Sequence, residues 1–85
     1  MPDRALPNLD LRGLQPPEAR ARAFTGMFRI KPGQRVTILA NSASVEQEIM
    51  KWIGEIGHRF LKTTPVERDG RASRAIELIK QDARR

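Results

Sequence analysis

Apolar positions along the chain alternate between short runs of strand character and longer stripes at helical spacing. Leu9 to Leu14 is apolar at Leu9 and Leu11 and closes on Gly13, which predicts a first strand leading into a turn. A helix should follow at once. Pro16 and Pro17 lack backbone N–H groups and carry a φ preset near the helical value, so they fit the first helical turn and nowhere deeper. Glu18 falls in that first turn, where the partial positive charge of the helix end favours a carboxylate. Ala19, Ala23, Phe24, Met27, Phe28 and Ile30 recur at steps of three and four and predict one buried face. Arg20, Arg22, Thr25 and Arg29 point elsewhere, and Lys31-Pro32-Gly33 ends the helix.

Arg35 to Ala40 is almost continuously apolar and β-branched, the pattern of a strand inside a sheet rather than at its edge. After the turn Asn41-Ser42-Ala43-Ser44, the pair Ser44 and Gln47 fits a capping box, so a second helix is expected to begin there. Its buried stripe is Val45, Ile49, Trp52, Ile53 and Ile56, with Glu46, Glu48, Lys51 and Glu55 on the wet side and Gly57 as the stop. Met50, like Met27, Phe28 and Trp52, is read as core or core edge. Phe60 to Val66 and Ala72 to Lys80 flank Asp69-Gly70, a hairpin-turn signal. Residues Arg74 to Arg85 also suit a helix by propensity, so strand and helix both stay open for segment 73–80. The prediction is an α+β fold, an α/β two-layer sandwich in the order β-α-β-α-β-β, with two helices packed on one face of a four-stranded mixed sheet. Residues 1–8 are expected to form a flexible arm, residues 9–80 a single domain, and residues 81–85 a frayed polar end.

A chain of 85 residues supports one two-layer core and only a shallow surface site. It holds no run of eighteen apolar residues to span a membrane, and Met1 to Pro7 shows no export signal, so a cytoplasmic location is expected. With Cys 0 there is no disulfide, thiolate metal site, redox switch or cysteine nucleophile. His58 is the single histidine, too few for a metal site, and is read as a structural residue capping the second helix near its C-terminus, where a partly cationic imidazole is favourable. Asp10, Glu18 and Asp69 have the chemistry for acid–base work, but a strand, a helix start and a turn account for them. Gly13 and Gly33 form no phosphate loop. No catalytic residue, cofactor, metal or small-molecule ligand is implied, and the chain is not expected to be an enzyme.

From Leu9 to Lys80 the chain resembles the small sulfur carriers typified by TusA, also called SirA-like. Their strand ends in Leu-Gly-Leu-Arg or similar, with Cys-Pro-x-Pro opening the first helix and Pro-Gly before the second strand. Here Arg12-Gly13-Leu14-Gln15 corresponds to the approach, Pro16 stands at the cysteine position, Pro17 matches the first motif proline and Ala19 replaces the second. Pro32-Gly33 agrees in spacing, and Ile56-Gly57-His58-Arg59-Phe60 is similar to the segment joining the second helix to the third strand. The opening Leu9 to Glu18 also matches a related group of cysteine-free domains with a Leu-Asp-x-Arg-Gly-Leu-x-Pro-Pro-Glu start. The resemblance implies the carriers' fold and their docking surface at the helix start. Pro16 has no nucleophilic atom, so persulfide relay through that position is impossible.

Charge bears on the partner. Sixteen Lys and Arg against ten Asp and Glu give +6, which steers acidic partners toward the chain. Up to Ala43 the cations are Arg4, Arg12, Arg20, Arg22, Arg29, Lys31 and Arg35, against only Asp3, Asp10 and Glu18. Arg20, Arg22 and Arg29 make a solvated helix face on one reading. On the other, Arg12, Arg20 and Arg22 form a cationic patch at the helix start. The leading expectation is a non-catalytic protein-interaction module that meets an acidic protein surface through Arg12, Gln15, Pro16, Pro17, Glu18 and Arg22. RNA binding is the alternative, suggested by a similar sheet-and-helix domain in translation initiation factor three. Against it, the one tryptophan and three phenylalanines fall at apolar helix or strand positions and not on a stacking platform. No membrane partner is expected.

Overall fold

Leu9–Asp10 form β1, a strand of two residues that pairs in parallel with β2, Arg35–Ala40, through Leu9 opposite Ile38 and Asp10 opposite Leu39. The computed structural model describes residues 8–68 and 70–81. The expected arm up to Pro7, the turn residue Asp69 and the last residues from Asp82 lie outside the described residues. Asn8 continues the ladder: its N–H donates to the Thr37 carbonyl at 2.9 Å, and its Oδ1 accepts from the Thr37 N–H at 2.7 Å.

The crossover from β1 to β2 is α1, Pro16–Met27, and α2, Ala43–Ile56, connects β2 to β3, Arg59–Arg68. A hairpin then turns into β4, Arg71–Ile79, completing the expected order β-α-β-α-β-β. The sheet order is β1-β2-β4-β3, with the last two pairings antiparallel, so the sheet is mixed and β2 is internal as its apolar run predicts. Pro65 lies in β3 at the sheet's edge, where a missing N–H interrupts no inner ladder.

Segment 73–80 resolves as strand up to Ile79. Ile76 opposite Ile38 and Leu78 opposite Val36 fill the layer under the helices, so burial overrides the helix propensity of Ala, Glu, Leu and Lys. The core joins Leu11, Ala19, Ala23 and Met27 to Ile38, Ile49, Trp52, Ile53 and Leu78. Ala19 and Ala23 are fully buried and let α1 lie close to the sheet. At Gly26 the approach is closer still, since a Cβ there would collide with the Leu9 side chain.

Three expectations are corrected. Phe24 and Phe28 are 51% and 72% exposed. Successive helical residues turn about 100°, so Phe24 sits off the Ala19–Ala23–Met27 stripe, and α1 ends before Phe28. The second helix starts earlier than Ser44: Ser42 is its N-cap, and its Oγ accepts the Val45 N–H at 3.2 Å. Ile56, on the last turn of α2, is 37% exposed rather than buried.

The polar end of β4 closes the fold. Gly33 N–H donates to the Lys80 carbonyl at 2.7 Å, and Lys80 N–H donates to Gln34 O at 3.0 Å. The Lys80 ammonium donates to the carbonyls of Met27 at 2.7 Å and Ile30 at 2.5 Å and so ties the turn after α1 to the end of the sheet; Met27 O also accepts the Ile30 N–H at 3.1 Å.

Candidate functional site

The start of α1 is built by a short, heavily bonded turn. Leu11, with no exposed surface, donates its N–H to Leu39 O at 2.9 Å and anchors the segment in the core. Asp10 then accepts the Arg12 N–H at 3.1 Å and its Nε at 2.9 Å, with a second oxygen on Nη2 at 2.8 Å. Gly13 adopts φ 83°, a left-handed conformation that suits glycine, and donates its N–H to Asn41 Oδ1 at 3.1 Å. That bond ties the turn before α1 to the turn before α2.

Gln15 is the extended N-cap of α1, and its N–H donates to Glu18 Oε1 at 3.2 Å. Ala19 N–H in turn donates to Gln15 O at 2.8 Å. Pro16 and Pro17 occupy the first two helical positions as the sequence predicts. Glu18 is thus committed to the helix start, and Arg12 to Asp10. Pro17 lines a shallow hollow between α1 and α2, whereas Arg22 lines a second hollow with Glu18, Ala21 and Thr25.

The expected patch of Arg12, Arg20 and Arg22 is not one free cluster. Arg20 reaches across to α2, with Nη1 2.9 Å from Glu48 and Nη2 2.5 Å from Glu55, and those hydrogen bonds raise its pKa further above the usual arginine value. Its side chain stays 38% exposed, so it is a surface residue that links the two helices. Arg35 pairs with Glu77 on the neighbouring strand, and Arg74 lies 3.4 Å from Glu46. Arg22, Arg29 and Lys31 pair with no carboxylate among the described residues.

His58 is a neutral structural residue rather than a cationic cap. It is 9% exposed, its Nδ1 accepts the Gln81 N–H at 3.1 Å, and its ring meets Trp52 edge-on at 5.4 Å. Burial, and then the nearby Lys80 charge, lowers its pKa. Gly57 caps α2 instead, at φ 95°, with its N–H on Ile53 O at 2.9 Å. Because the unfolded chain takes up a proton on His58 at higher pH than the folded one, stability should hold above the unfolded value of about 6.5 and fall as pH drops below it. Melting temperatures at pH 7 and pH 5 check this; the wild type should lose more than His58→Gln, and equal losses would contradict it.

Sequence reasoning missed two residues that shape this region, Asn41 and Lys80. An Asn in a turn after a strand is a local signal of side-chain bonding to backbone, but its partner 28 residues away is not. Lys80 gave no signal, since it was read as one more strand residue.

The chemistry of the site follows from Pro16. A cysteine at this first helical position would meet open N–H groups and the positive helix end, which favour a thiolate. Pro16→Cys should therefore carry a thiol with a pKa below the free value of about 8.5, read from thiolate absorbance against pH. An unshifted thiol would show that the turn has lost this bias.

No family sequence profile matches the chain, and no curated protein matches it. Among solved structures it is similar to a SirA-like protein from Desulfitobacterium hafniense, at 18% identity and a TM-score of 0.61, over 86% of this chain and 95% of that one. Among the described residues, no helix is long and apolar enough to cross a membrane. The chain thus has the fold of that SirA-like protein, with proline at the first position of its first helix.

Proposed function

We propose that the chain is a non-catalytic interaction module on a sulfur-carrier-like scaffold, acting in the cytoplasm and binding an acidic surface of another protein through the start of α1. The observation that carries this reading is an exposed helix start that is fixed from within and holds no nucleophile. Arg12, Gln15 and Glu18 spend their polar groups on shaping the turn. Pro16 and Pro17 present a rigid apolar edge, and Arg22 supplies an exposed charge with no carboxylate partner among the described residues. Such a surface loses little conformational entropy on binding.

RNA is the less favoured partner. Several of the arginines that a phosphate track would need are already matched, Arg20 by Glu48 and Glu55, Arg35 by Glu77. The test is capture of a bound protein from an extract of the native cells. Retention should be lost with Arg22→Glu and kept with Lys62→Glu, a charge reversal on β3. Equal retention by the Arg22 variant would remove α1 as the docking site.

A further inference from the structure

Two of the three exposed phenylalanines, Phe24 on α1 and Phe28 at its C-cap, lie outside the helix start. Phe24 and Phe28 stack edge-to-face at 5.1 Å, and Phe24 borders a hollow of about 380 Å³ whose other walls are Pro17, Arg20, Trp52 and Ile56. Large apolar side chains this exposed, set around a concave surface, are the usual anchor of a protein interface.

Charge and shape select the occupant. Ala21 lines both this hollow and the adjoining one of about 310 Å³ that contains Arg22. Its small side chain leaves a low saddle between an apolar cup and an unmatched cation. Arg29, one residue beyond Phe28, and Lys31 add positive charge at the far end of the helix without carboxylate partners among the described residues. A second copy of the chain would bring these cations against one another across a two-fold axis, which opposes self-association. A lipid surface fits poorly, because the cup is concave and the Glu48 and Glu55 carboxylates beside it would lose water on insertion.

We propose that the cup between Phe24, Trp52 and Ile56 takes an apolar side chain of an acidic, amphipathic segment of the partner protein, and that this segment crosses Ala21 to set a carboxylate on Arg22. This rests on the reading of the chain as an interaction module and adds to it the partner's chemistry and path.

Site-specific photocrosslinking in the native cells tests it, with p-benzoylphenylalanine placed at position 28, beside the cup, or at position 15 of the full chain, at the helix start and outside both hollows. Position 28 should capture peptides that carry net negative charge together with large apolar residues. The yield at position 28 should fall by about tenfold with Arg22→Glu, the loss of one good charged contact at an interface. It should fall comparably with Phe24→Ala, and both side chains are exposed enough for the fold to survive, as circular dichroism will verify. Protein captured at position 15 but not at position 28 would overturn this proposal and leave the docking function standing; no protein at either would overturn both. Adducts at position 28 to a second copy, to lipid or to RNA would each overturn it.

Discussion

Trp52→Ala should cost about 3–5 kcal/mol, the usual range for deleting a large aromatic side chain from a core. Trp52 is 2% exposed, stands among the core residues under the helices, and forms the inner wall of the hollow beside Phe24. Its loss removes the edge-on contact to His58 and opens space that rigid neighbours cannot refill. Since a domain of this kind has a total stability of about 5–15 kcal/mol, the variant should be partly unfolded at growth temperature. Urea unfolding followed by far-ultraviolet circular dichroism gives the number, because the variant has no tryptophan left to report by fluorescence. A loss below about 1 kcal/mol would mean that the helix layer repacks freely around the gap.

The second large effect is expected at Lys80→Met, which keeps most of the aliphatic stem and removes the ammonium. Two charge-assisted hydrogen bonds to the Met27 and Ile30 carbonyls disappear, and of the two acceptors Met27 O keeps the Ile30 N–H at 3.1 Å. The expected loss is about 2–3 kcal/mol. Hydrogen exchange should locate it, with protection falling first in the last turn of α1, next to Phe28. An unchanged urea midpoint would show that water replaces the ammonium without penalty.

These two residues also mark what can be read from sequence. Trp52 was legible, because Val45, Ile49, Trp52 and Ile53 share one helical stripe and Gly57 follows as a stop. Arg35 to Ala40 was equally clear, since its almost continuous apolar, β-branched run fits an inner strand. The element order and the two-layer arrangement follow from such periodicities. Lys80 was illegible because its two acceptors lie about fifty positions earlier in the chain, and no local pattern announces a long-range cap. Phe24 and Phe28 were misread for a related reason. Spacing of three and four identifies a possible apolar face, but the width of the buried stripe is set by what packs against it. With Ala19, Ala23 and Met27 already filling the contact, the phenylalanines had no place in the core.

At the candidate site, the prolines, Glu18 and the turn at Gly13 were readable from local chemistry. The pairing state of the arginines was not. Arg20 looks as free as Arg22 in a helical pattern, and only the packing of α2 beside α1 brings Glu48 and Glu55 to it. A basic composition therefore overstated the cationic surface, and the charge left for a partner on and just after α1 narrows to Arg22, Arg29 and Lys31.

The central claim is that this scaffold recognises another protein without sulfur chemistry. What the purified chain retains from an extract of the native cells tests it most directly, with the extract treated in parallel with nuclease and with dithiothreitol. The account predicts a protein that stays bound through both treatments and is lost with Arg22→Glu. Material that leaves with nuclease, or that dithiothreitol releases, would contradict it.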